Sequence, residues 1–435
     1  MLVIMVGAYI YVRATFGRFW GWITGFMQYI ILPSTVIGGI ISMFRINLNQ
    51  LSFFSWLPDR WSNLFIDSLG IIVYCLVTSC IYFGLRGFRW FVNISGIIKW
   101  LSTCFLIICA IILVIKNGTI VYQQAFVGTK HLHFTINIFN NAFSNFFYFF
   151  LGFETFTVIG KNVKNPNKNL GRGTIIVLFL TTIFYLMITI LIIGAISSQG
   201  PNGNNGWANG GNNYNPNNVI AGIAGTTGII LLVICTLSIK LNGVIQVALY
   251  SGAMLQPLAK EGYISEKIAK LNKENIAMYG NTINFIITII VCIIMLIIPD
   301  LIGISFNYNQ MLGFTTNITI FVYLFVIAAT CVMGYYKKIK IKVIEWIMFI
   351  ICLLFLISQF IIFNYNMIHD LVSNKGIILI AIAIKFLMFW VFIIIATIIY
   401  FTYYKPKLKQ RLITNPEYQN QLDKEFIFNS HLVVN

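Results

Sequence analysis

Apolar residues fill long unbroken stretches of this chain, and polar ones are confined to the short segments between them. The pattern predicts ten membrane-spanning helices, at 18–42, 64–83, 91–115, 135–159, 174–198, 219–250, 281–298, 308–333, 342–363 and 377–402. About 20 apolar residues suffice to cross the hydrocarbon core as a helix, and longer stretches can tilt or break. Helix is the required form, because hydrocarbon offers no partner to a free amide or carbonyl. The two-residue alternation of a membrane barrel is absent. The expected fold class is therefore all-α: a polytopic membrane helix bundle over 1–404, followed by a polar tail at 405–435.

Composition agrees. Hydrophobic residues make up 58% of the chain and charged ones 9%, against roughly 25% charged in soluble proteins. The net charge of +17 would suggest nucleic acid in a soluble chain. Here the cations sit between the apolar runs, so membrane topology explains them and no nucleic-acid partner is expected. With the N-terminus placed in the cytoplasm, 21 of the 29 Lys and Arg fall on the cytoplasmic side. Arg45, Arg60, Lys116, Lys130 and Lys375 fall outside, and Lys99, Lys240 and Lys385 lie inside spans. That asymmetry is the positive-inside signature. It predicts a multi-pass protein of the plasma membrane with both termini cytoplasmic. The basic tail is expected to be drawn to anionic lipid headgroups.

The chemistry-bearing residues are few. All eight cysteines lie in apolar runs and none forms a CxxC pair, so they read as small hydrophobes. His131 and His133 share a short loop without ligand spacing. Neither a metal site nor a cofactor is expected, and no loop carries the clustered carboxylates or phosphate-binding glycines of an enzyme. The uncharged segment 199–218, rich in Gly and Asn, reads as a flexible connector. The first residues are followed at once by a folded-looking motif, so no cleavable leader is expected. Gly17, Gly21 and Gly25 recur every fourth residue, which gives one helix face that another helix can approach closely.

Lys99 lies inside its predicted span, where an ammonium needs a cavity, a partner or a route to the interface. It reads either as a proton-coupling group or as a snorkelling lysine. Lys240, between Ser238 and Asn242, is a candidate for the same cavity, and Asn242 goes with it. Packing or snorkelling accounts for Lys385. The sequence FFYFFLGFETF at 146–156 sets Gly152 and Glu154 within an aromatic helix. A mid-helix glycine costs about 1 kcal/mol relative to alanine and marks a place where backbone can leave the helix. Freed carbonyls there could hold an ammonium, and Glu154 could accept the freed amides, titrate, or bind a cationic substrate.

These residues carry a resemblance. GFETFTVIGKNVKNPNKNLGRG at 152–173 resembles the sixth helix and following loop of the amino acid–polyamine–organocation permeases. GAYIYVRATFGRFWGWITGF at 7–26 is similar to that family's lead-in to helix three, and LAKEGYISEKIAKLNKENI at 258–276 to its loop after helix eight. The resemblance implies a five-plus-five inverted repeat, with about ten of twelve helices present and helix one and most of helix two not represented. It implies a substrate site at the unwound stretch Tyr148, Phe149, Phe150, Leu151, Gly152 and Glu154, with Tyr148 closing over the substrate. Lys99 matches a lysine that replaces a sodium ion in some branches, which favours proton over sodium coupling. Asn162, Gly171, Gly252 and Ser265 depart from the family pattern. The function implied is secondary active transport of amino acids or related amines by alternating access, proton-coupled or by exchange. The alternative is a non-transporting relic or a membrane assembly partner.

Overall fold

The computed structural model describes residues 8–45, 58–79, 85–127, 139, 142–143, 146–148, 150, 166–195, 216–273, 276–303, 308–373 and 375–414. Every regular element among them is helical. A short α1 (Ala8–Phe16) turns at Gly17 into α2 (Arg18–Ile40), which ends in a π turn at Ile41–Arg45. Next come α3 (Asp59–Ser79), α4 (Leu85–Val127), α5 (Pro166–Ala195) and α6 (Pro216–Lys260). A 3-10 turn at Glu266–Ala269 leads to α7 (Met278–Cys292), a π turn at Ile293–Ile297 and α8 (Ile298–Ile302). The chain closes with α9 (Tyr308–Tyr335), α10 (Val343–Ser373), α11 (Ile377–Ile399), a π turn at Tyr400–Tyr404 and α12 (Lys405–Thr414). Described helices lie over each predicted stretch except 135–159, most of which is outside the described residues. Eight of them are long and apolar enough to cross a membrane.

Burial divides these helices into a centre and a rim. In α2, 16 of 23 residues are buried, and its Trp22, Met27, Ile30, Ile37 and Ile40 join side chains of α3, α6, α7, α9 and α11 in one apolar core. In α5 the apolar window has no buried residue; its inner edge meets α4 through Ile188 and Leu191 against Ala110 and Leu113. An apolar helix face exposed to this degree suits lipid or another helix and not water. The assembly is thus a helix bundle organised around α2.

Gly17 has φ +93°, a conformation open to glycine at no steric cost, and it reverses the chain between α1 and α2. The glycine face of α2 then packs on α1. A Cβ on Gly21 would fall 2.5 Å from Arg13 Cβ, and one on Gly25 2.9 Å from both Tyr9 Cβ and Leu258 Cδ2. The close partners of this face are therefore α1 and the end of α6. A second break is at Gly225 (φ +58°, ψ −149°), which divides α6 into two helical segments. The boundary drawn at 404/405 from composition falls in a helix that runs on without interruption from Ile377 to Thr414.

Candidate functional site

Of the site residues expected from the sequence, Phe149, Leu151, Gly152 and Glu154 lie outside the described residues. Tyr148 is helical and half-buried, and Phe150 is half-buried with its ring edge-on to Tyr185 of α5 at 5.7 Å. The aromatic run leading to them meets the rest of the bundle through rings. Phe143 packs edge-on against Phe355 of α10 at 5.1 Å, and Phe147 against Tyr323 of α9 at 5.8 Å. Spacing of four residues puts Phe139, Phe143 and Phe147 on one helical face, and Phe139 also reaches Phe355.

The coupling candidates separate. Asn242 is buried and its amide donates to the Val92 carbonyl (2.9 Å) and to Ser95 Oγ (2.6 Å), both on α4. It straps α6 to α4. Lys240 is half-buried two residues earlier, and Lys99, one turn beyond Ser95, is exposed. Gly252, one of the departures from the permease pattern, is buried. Its amide donates to Asn281 Oδ1 at 2.9 Å, and a Cβ there would lie 2.2 Å from that oxygen. The departure has a packing cause: α6 and α7 touch backbone to backbone, and a side chain would separate them.

Two polar clusters emerge that hydropathy alone does not reveal. At the end of the bundle away from α1, Arg45 sits between two aspartates. Its Nε donates to Asp67 Oδ1 at 2.8 Å and its Nη2 to Asp300 Oδ1 and Oδ2 at 2.8 and 2.9 Å; the same Nη2 also bonds Asp67. Arg45 is 7% exposed and both aspartates 0%. One guanidinium thus ties α3, the end of α2 and α8. A fork of five donors suits two carboxylates at once, as an ammonium would not.

At the opposite end, α1, α2, the loop after α6 and α12 converge. Arg13 pairs with Glu261, and Arg18 donates to the Tyr404 hydroxyl. The ring of Tyr263 stacks on Tyr404 at 4.2 Å and on Trp22 at 5.3 Å, and its hydroxyl donates to the Arg18 carbonyl at 3.2 Å. Burial pushes the Tyr263 phenol well up, so it acts as a neutral donor. Trp22 Nε1 donates to the Ala396 carbonyl at 2.7 Å. Further out, Glu266 receives Lys407 at 3.2 Å and Arg411.

Both clusters are reached through π turns, one carrying Arg45, one just before Asp300 and one carrying Tyr404. One extra residue in a turn rotates the following side chains by about 100° and aims them at a different neighbour. The clusters also bear on the charge map. Arg45 and Asp300 belong to segments it assigns to one side, Asp67 lies in the span that starts from that side, and Arg13, Glu261, Glu266, Lys407 and Arg411 belong to segments it assigns to the other. No contact among them joins segments of opposite assignment. The signal available in the sequence was Asp67, an acid inside a predicted span.

No group of three or more His, Cys, Asp or Glu able to hold a metal occurs among the described residues.

Comparison with known proteins matches residues 5–398 to the amino acid permease family. A vacuolar cationic amino acid transporter 4 of Arabidopsis thaliana is 25% identical over 202 residues, which cover 43% of this chain and 32% of the relative. A mitochondrial cationic amino acid transporter 3 of the same plant is 22% identical over 196 residues, with the same coverage. The aligned part is therefore about a third of either relative. With the match running through nearly every described helix, the chain belongs to the amino acid permease family, a family of membrane carriers and not of enzymes.

Proposed function

We propose that this chain is a secondary carrier of amino acids or related amines, working by alternating access in the cell membrane with both termini in the cytoplasm. The family match over residues 5–398 is the observation that carries this reading. The names of the two relatives support cationic amino acids as the substrate class. Glu154 would then offer a carboxylate to the substrate's side-chain cation, and carbonyls freed around Gly152 would receive its α-ammonium. Tyr148 closes over the bound substrate. Lys99 and Lys240, the cations inside the spans 91–115 and 219–250, are the candidates for proton coupling. The sidedness of the basic segments supports the orientation.

Uptake by the full chain in sealed vesicles, with lysine, arginine and leucine as labelled substrates and a pH gradient imposed, tests this. The expected result is saturable uptake of the two cations, accelerated by the gradient. Glu154→Gln should lower uptake of lysine by about 10- to 100-fold, the size of a hydrogen bond to a charged group, and affect leucine less. Lys99→Ala should remove the gradient dependence. Gradient-driven uptake that survives Lys99→Ala unchanged overturns the coupling role. No uptake of any amino acid overturns the transport reading and favours a non-transporting assembly partner.

A further inference from the structure

The last helix, α12, has two faces of different character. Lys407, Leu408, Arg411 and Leu412 are partly covered. Leu408 packs on the central core, and Lys407 and Arg411 reach Glu266. The opposite face carries Lys405, Lys409 and Ile413, all exposed. They recur every fourth residue, and Phe401, one turn earlier in the same helix, is 49% exposed. Lys405 Nζ lies 5.2 Å from the centre of the Phe401 ring. The outer stripe therefore reads aromatic, cation, cation, aliphatic. Neither Lys405 nor Lys409 forms an ion pair among the described residues.

We propose that this stripe is a docking surface for anionic phospholipid headgroups. Three observations select that occupant. The helix is continuous with the apolar α11, so α12 leaves the bilayer at its surface. The two lysines supply positive charge that no described acid answers, and such charge beside a membrane is drawn to anionic lipid. Phe401 and Ile413, exposed at either end of the lysines, would lie unfavourably against a soluble polyanion but suit the boundary of headgroup and acyl chain. Because the inner face of the same helix holds Glu266 and the core, lipid on the outer face adds to the closure of this end of the bundle. The inference is independent of which solute is carried.

The test is competition between phosphatidylglycerol and phosphatidylcholine for the purified full chain, read as the ratio of the two lipids retained. The unmodified chain should retain phosphatidylglycerol preferentially. Lys405→Gln with Lys409→Gln should lower that preference by about fivefold per lysine and roughly 25-fold together, with the loss shrinking at high salt. Melting in phosphatidylcholine alone should not change, which shows that the variant is folded. The control is Lys340→Gln with Lys342→Gln, an equal loss of exposed charge in the loop before α10. The control should keep most of the preference. Equal loss in both variants, or no preference in the unmodified chain, overturns the proposal.

Discussion

The two ends of the bundle hold their charges in opposite ways. At the end away from α1, Arg45, Asp67 and Asp300 are sealed, with both aspartates fully buried. At the other end, the side chains of Glu261 and Glu266 are 25% and 55% exposed, and their partners are interleaved with stacked tyrosines. A charge network out of water survives only while every member is present, because each ion depends on the others for its lost hydration. A network in water can exchange partners at little cost, since solvent replaces what is lost. The sealed end therefore behaves as a fixed staple of α2, α3 and α8. At the open end the outer pairs of Glu266 are the ones that can exchange partners at little cost, and it is there that the last helix and the loop after α6 meet.

The largest effect that would break this contrast is at Arg45. Arg45→Ala leaves two buried carboxylates facing each other and should destabilise the fold by about 3–5 kcal/mol. It should be seen as a large fall in melting temperature in detergent. Adding Asp67→Asn and Asp300→Asn removes the stranded charge and should restore a substantial part of the loss. A single variant that melts like the unmodified chain would mean that the sealed end is no staple.

The smaller tests fall at the open end. Tyr263→Phe keeps the stack on Trp22 and Tyr404 and removes one hydrogen bond to the Arg18 carbonyl. The expected loss is about 1 kcal/mol, measured in the same melting assay. A loss as large as that of Arg45→Ala would place the two ends in one class and remove the contrast.

How much of this was legible in the sequence differs in the same way between the two ends. The described helices lie, in order, over nine of the ten apolar runs, and the Gly17, Gly21 and Gly25 face announced a close helix contact. Its identity did not follow, because α1 is too short to stand out by hydropathy. At the open end, Arg13, Lys407 and Arg411 were legible as one side of a charge map. The sealed end was legible only in Asp67, an acid inside a predicted span. Arg45 counted as one of the outside cations, and its partners lie 22 and 255 residues away. Its aim also depends on a π turn, and a single extra residue in a helix leaves no mark on an apolar run. Asn242 shows the same limit from the other side. Its bonds to α4 were not legible, since hydropathy does not say which neighbour a helix face meets.

The smallest effect is the most selective one. Glu266 is exposed, so Glu266→Gln should change overall stability by less than about 1 kcal/mol. Its carboxyl is held below the usual carboxylate range, first by the hydrogen bond from Lys407 and then by the charges of Lys407 and Arg411. A lowered value in the folded state means the contact is complete at neutral pH, above the ordinary carboxylate value, and is lost as pH falls through the lowered one. The loss should stay local. Amide exchange in α12, corrected for the intrinsic effect of pH, should speed up on acidification from neutral to about pH 4 and below, while exchange in α2 and α3 stays slow. Glu266→Gln should exchange fast in α12 already at neutral pH and respond little to acid. If acid instead loosens α2 and α3 before α12, the sealed end is the weaker of the two and the roles assigned to the two ends must be reversed.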